Sequence, residues 1–139
     1  MSKGLSYEEA LEKTPFLIVN TIGTSMLPLI KEGENQVKLI KVNRSLTKGD
    51  VLLYKRSDGT YVLHRLIRIK RSGLVMCGDN HAHLEKGVKQ EQVIAIMDGF
   101  FKGEEYIDIN NKDYIKYTKR VLHTLPFRRI KSFFLKFFR

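Results

Sequence analysis

Val51-Leu52-Leu53-Tyr54-Lys55-Arg56-Ser57-Asp58-Gly59-Thr60-Tyr61-Val62-Leu63-His64-Arg65-Leu66-Ile67-Arg68-Ile69-Lys70 decides the fold class of this chain. Two apolar arms flank the polar tetrapeptide Ser57-Asp58-Gly59-Thr60. Its Asp-Gly pair suits a tight hairpin, because glycine takes left-handed backbone angles without steric cost. The arms Val51–Lys55 and Tyr61–Lys70 are therefore predicted strands. In the second arm Leu63, Arg65, Ile67 and Ile69 alternate imperfectly with His64, Leu66, Arg68 and Lys70, which leaves His64 in mid-strand on a firmly held backbone.

Outward from this hairpin, short apolar runs recur between turn signals. Phe16–Ile22 reads as a buried strand. Val37–Val42 follows a turn at Gly33 and Asn35, and Leu74–Cys77 follows the turn Arg71-Ser72-Gly73. A last hairpin runs from Gln92–Phe101 through Lys102-Gly103 to Glu105–Ile109. Ser6-Tyr7-Glu8-Glu9 has the form of a capping box opening a short helix that Thr14-Pro15 ends. The expected fold is mainly β, with bent antiparallel sheets around a small barrel-like core, a short N-terminal helix and a C-terminal amphipathic helix. No repeat, low-complexity tract or linker interrupts it. Residues 1–111 are expected to form the β domain and residues 112–139 a basic, aromatic helical tail.

A chain of 139 residues supports one domain with a modest core. At 42% hydrophobic and 29% charged it is neither a disordered chain nor a membrane bundle. The single cysteine, Cys77, excludes an internal disulfide. No zinc-ligand spacing joins it to the histidines, so neither a metal nor another cofactor is expected. The only close histidine pair, His81-Ala82-His83, reads as a polar loop. The formal net charge of +10 calls for an anionic partner, nucleic acid or a membrane surface. No nucleic-acid motif accompanies the charge, and nucleic acid is not an expected partner. Glu8, Glu9 and Glu12 do not fit a signal peptide, and no apolar run approaches the about 20 residues of a membrane span. The expected location is cytoplasmic, or peripheral on the inner face of the membrane.

Four short strings carry the chemistry, in this order: Gly23-Thr24-Ser25-Met26-Leu27-Pro28, Lys48-Gly49-Asp50-Val51, His64-Arg65 within its strand, and Cys77-Gly78-Asp79-Asn80. A serine beside a glycine, between an apolar run and a proline, can present its hydroxyl in a cleft where a base activates it. Any one string is common by chance. The ordered set, spanning Ile18 to Gly99, resembles the serine peptidases that include signal peptidases and the self-cleaving LexA-type repressors.

The resemblance implies a fold and a mechanism. Ser25 would be the nucleophile. His64 stands where many relatives have a lysine, as in the eukaryotic-type and archaeal-type signal peptidases, and would be the general base. Imidazole can take and return a proton near neutrality without deep burial. Asp79, or as second choice Glu85, would orient the imidazole. The Ser25 N–H would donate to the oxyanion, while Gly23 occupies the position where some bacterial relatives carry a hydroxyl. Gly23, Met26, Pro28 and the strand at 16–22 would line the groove for an extended peptide. The expected function is a serine endopeptidase acting on a peptide or precursor protein, with no N-terminal membrane anchor of the kind typical signal peptidases carry. The alternative is a catalytically inactive peptide- or membrane-binding module on the same fold. Self-cleavage is disfavoured, because the only Cys-Gly bond, Cys77-Gly78, follows both catalytic candidates.

In the tail, Phe127, Ile130, Phe133, Phe134, Phe137 and Phe138 recur at spacings that share one helical face, with Arg128, Arg129, Lys131, Lys136 and Arg139 on the remainder or its edges. Pro126 is expected to separate this helix from one around Tyr114–His123. Residues 127–139 would rise about 20 Å, short of the ~30 Å hydrocarbon core, so the helix is expected to lie in a lipid interface or to dock on protein.

Overall fold

The computed structural model describes residues 4–137. Phe138 and Arg139 of the tail, and the side chain of Phe137, lie outside the described residues. The elements in chain order are α1 (Tyr7–Lys13), β1 (Leu17–Asn20), β2 (Asn35–Ile40), β3 (Val51–Lys55), β4 (Tyr61–Lys70), β5 (Gly73–Cys77), β6 (Glu85–Val88), a 3-10 turn at Gln90–Gln92, β7 (Val93–Lys102), β8 (Glu105–Asp108) and α2 (Lys112–Phe137). The fold is mainly β. One antiparallel sheet of 8 strands runs β1-β2-β7-β3-β4-β5-β6, with β8 added on β7. The expected barrel-like core is not a closed barrel: β1 and β6 end the sheet without pairing to each other.

The β3–β4 hairpin forms as its sequence dictates, with Leu52 opposite His64 and Tyr54 opposite Val62. Gly59 takes φ 91° at the turn. β3 packs on both faces, which is why its apolar run does not alternate. Val51 and Leu53 join one cluster with Val37, Leu39, Met97 and Phe100. Leu52 and Tyr54 join the other, with Leu66, Leu74, Met76 and Ile96. The imperfect alternation of β4 has a cause in the ladder: the register against β5 shifts between Leu66 and Arg68, a bulge that puts neighbouring residues out of step.

Two further expectations differ from the structure. Phe16–Ile22 is not a buried strand. β1 covers only Leu17–Asn20 at the sheet edge, its residues alternate in exposure, and Ile22 is 90% exposed. Nor does Pro126 divide the tail, since α2 runs through it unbroken. Proline costs a helix one N–H bond and crowds the preceding turn. Here the Arg128 side chain folds back, with Nη1 2.9 Å from the Val121 carbonyl and 3.1 Å from Thr124 Oγ1, and stitches the turn ahead of the proline. Packing adds to this, because Tyr114, Val121 and Leu125 of α2 are buried against the sheet domain. α1 carries the expected capping box, with Glu9 N–H donating to Ser6 Oγ and Ser6 N–H to Glu9 Oε1, and drives Leu11 into the core.

Candidate active site

Gly78-Asp79-Asn80, the turn after β5, holds the loop that carries Ser25. Asn80 N–H donates to the Ser25 carbonyl at 2.9 Å, and Asn80 Nδ2 donates to the Thr24 carbonyl at 3.1 Å. Gly78 must lack a side chain: a Cβ there would sit 2.6 Å from the Ser25 carbonyl oxygen and 3.1 Å from Ser25 Cβ. Asp79 faces inward. Both its oxygens accept from Arg65, Oδ1 from Nε at 2.8 Å and Oδ2 from Nη2 at 2.7 Å, and Oδ2 also accepts from Tyr117 Oη. Both side chains of this ion pair are 0% exposed. The remaining Arg65 nitrogen, Nη1, donates to the Gly49 carbonyl, Tyr114 Oη and Thr118 Oγ1. A buried charge pair survives only when its hydrogen-bonding capacity is met in this way. The Lys48-Gly49-Asp50, His64-Arg65 and Gly78-Asp79-Asn80 strings thus meet at one guanidinium, and Asn80 ties Ser25 to it.

His64 follows directly from the hairpin register. It is buried and contacts Tyr54, its diagonal neighbour across the β3–β4 ladder, with Tyr54 Oη 3.4 Å from His64 Nδ1. Tyr54 Oη in turn donates to Glu85 Oε1 at 2.6 Å, and Arg56 grips both Glu85 oxygens at 3.0 and 2.8 Å. The carboxylate connected to the imidazole is therefore Glu85, through the Tyr54 hydroxyl. Asp79, the favoured orienter from sequence, spends its hydrogen bonds on Arg65 and Tyr117 instead. The Arg56 guanidinium holds the Glu85 carboxyl below the usual carboxylate range. Burial raises the Tyr54 phenol, with Glu85 adding to the effect. Burial pushes the His64 imidazole down to about 4 from 6.5, and the His81 ring and Arg56 guanidinium act in the same direction.

Ser25, His64, His81, Gly23, Met26 and Val19 share one cleft of about 540 Å³, with α1 closing one side through Tyr7 stacked edge-on to Tyr61. The His81 ring lies 5.4 Å from that of His64 at 84°. Its Nδ1 and Ser25 Cβ both stand 3.1 Å from the point where a Gly78 Cβ would be. Ser25 Oγ makes no hydrogen bond to either imidazole, and among the described residues the Ser25 N–H has no intramolecular acceptor. The Gly23 N–H is already committed to Glu32 Oε1 at 2.6 Å. Met26 is both cleft floor and core, at 4% exposure. Pro28 does not line this cleft; it faces another hollow, beside Asn35 and Phe100. Cys77 is buried, and burial raises its thiol, so it is no rival nucleophile. No cluster of His, Cys, Asp and Glu among the described residues is arranged to hold a metal ion.

Three contributors were not foreseen: Tyr54, Arg56 and His81. Tyr54 was readable in principle, since the hairpin register alone places it diagonal to His64. Arg56 and His81 reach the site through tertiary approach, which leaves no local signature. The chain matches no protein-family model and no curated protein.

Proposed function

We propose that this protein is a serine endopeptidase of the signal-peptidase and LexA-like fold, with Ser25 as nucleophile, His64 as base, and Glu85 acting on His64 through Tyr54. The observation that carries the reading is the shared cleft: a serine on a pinned loop and a buried imidazole whose tyrosine partner is bonded to a carboxylate. Ser25 Oγ attacks the scissile carbonyl and gives its proton to His64, which returns it to the leaving amine. Burial keeps the imidazole in the neutral form that accepts a proton, while lowering its basicity. The open Ser25 N–H supplies one oxyanion donor. With the Gly23 N–H committed to Glu32, no second donor comes from that residue. An extended peptide fits beside β1, a sheet-edge strand whose Val19 and Asn20 line the cleft. A cytoplasmic or membrane-peripheral peptide precursor is the substrate class of this reading.

A second reading, a peptide-binding module without turnover, is favoured by one observation: Ser25 Oγ and His64 are not hydrogen-bonded to each other. Catalytic hydrogen bonds are often long before substrate binds, so the peptidase reading is kept as the first. Hydrolysis of a broad oligopeptide library separates the two. Wild-type protein should cleave a subset, and Ser25→Ala should lower that rate by on the order of 10⁴-fold or more. Equal rates from both proteins would leave only the binding module.

A further inference from the structure

A second hollow, of about 700 Å³, opens between β4, β5 and the half of α2 beyond Leu125. Ile67, Val75, Leu84 and Ile130 give it an apolar lining. Arg68, Lys70, Lys86 and Arg129 also line it, and no carboxylate does. An adjoining hollow shares Lys86 and Arg129 and adds Lys136, again without a carboxylate. None of these cations joins an ion pair among the described residues. α2 also changes character along its length. Of its earlier apolar residues Tyr114, Val121 and Leu125 are buried and Ile115 is 38% exposed, whereas Phe127, Ile130 and Leu135 are 66%, 54% and 53% exposed. So dense a run of exposed large apolar side chains marks an interaction surface.

We propose that this face docks on an anionic lipid surface, its apolar side chains entering the headgroup–acyl boundary and its cations meeting lipid phosphates. The pairing of apolar lining with unopposed positive charge selects this occupant. A second copy docked face to face would set like cations against each other with no carboxylate in these hollows to answer them. A nucleic acid would satisfy the cations and leave the phenylalanine and isoleucine side chains in water. Lipid satisfies both. No described helix is long and apolar enough to cross a membrane, so α2 lies on the surface. The docking face is joined to the Ser25 cleft: Arg128 Nε donates to the His81 carbonyl at 3.1 Å, and His81 lines that cleft. This inference goes beyond the peptidase reading and stands whether or not Ser25 is a nucleophile.

Co-flotation of the full chain with vesicles tests it. Vesicles of phosphatidylcholine mixed with phosphatidylglycerol should carry the protein, phosphatidylcholine alone should carry far less, and added salt should weaken the binding. The double substitution Lys86→Glu/Arg129→Glu should lower partitioning at least about twentyfold, given the contribution of each cation near an anionic surface. Phe127→Ser/Ile130→Ser should lower it as well, and excess inorganic phosphate should not displace the wild-type chain. All four positions are on or near the surface, and circular dichroism checks that the variants are folded. Equal partitioning to both vesicle types, or binding unchanged in both double variants, overturns the proposal. A dimer in sedimentation equilibrium that Phe127→Ser/Ile130→Ser dissolves would assign the face to a second copy and overturn it too.

Discussion

His64 is held neutral by its surroundings, and that fixes a pH dependence. Unfolded, the imidazole titrates near 6.5; folded, burial brings it down to about 4. A base must be unprotonated to accept the Ser25 proton, so kcat/KM should stay level as pH falls through 6.5 and be half lost only near 4. A midpoint near 6.5 would mean that the working imidazole is exposed. Stability follows the same titration. Between the two values the unfolded chain binds the extra proton, so this contribution is complete above 6.5 and is lost as pH falls through the folded value, by at most about 3 kcal/mol. The Tyr54 hydroxyl is the other residue whose role can be isolated. Tyr54→Phe keeps the ring in its cluster and cuts the Glu85–His64 connection. Peptide-hydrolysis kcat should fall about 10- to 100-fold, part of the 10²–10⁴ that a positioned base is worth, while KM changes little. An unchanged kcat would show that Glu85 does not act through Tyr54.

The elements place the two carboxylates in different surroundings. Asp79, on the turn after β5, binds a guanidinium that shares its complete burial, so Asp79→Asn leaves Arg65 charged and under-compensated in the core. Denaturant unfolding should show a loss of about 3 kcal/mol. Glu85, at the start of β6, pairs with Arg56 where the side chains are 28% and 41% exposed. Glu85→Gln should therefore cost under about 1 kcal/mol while still lowering the hydrolysis rate. The opposite ranking of stability losses would reverse the assignment. The same elements show what a sequence can reveal. The β3–β4 hairpin was legible to the residue because both arms and the Asp-Gly turn are local. β1 was legible as a strand but not as an edge, since its exposure depends on which strand lies beyond it. β6, Glu-Lys-Gly-Val, has no apolar alternation and forms only because β5 offers an edge. The continuity of α2 through Pro126 depends on a side chain folding back and on packing against the domain.

Across the whole molecule, strings far apart in sequence converge on Arg65, and Asn80 extends the network to the Ser25 loop. Each string supplies a backbone or side-chain partner that the others lack. Ser25 and His64 stand inside these strings, and the fold brings them to one cleft. The partners of Asp79 and Glu85 could not be read from sequence, because they depend on which cation each carboxylate reaches through space. The net charge of +10 could be counted but not located from composition alone. The fold gathers part of it beside exposed apolar side chains on the far half of α2, away from the Arg65 network and linked to the cleft by the Arg128–His81 bond.

Intact-mass measurement after reaction with a serine-directed fluorophosphonate probes the central claim most directly, because it reads the nucleophile without knowledge of the substrate. One adduct per chain, mapped to Ser25, absent in Ser25→Ala and slowed at least about 100-fold in His64→Ala, is the predicted result. Labelling of the wild-type chain that persists unchanged in His64→Ala, or no adduct at Ser25 at all, would contradict it.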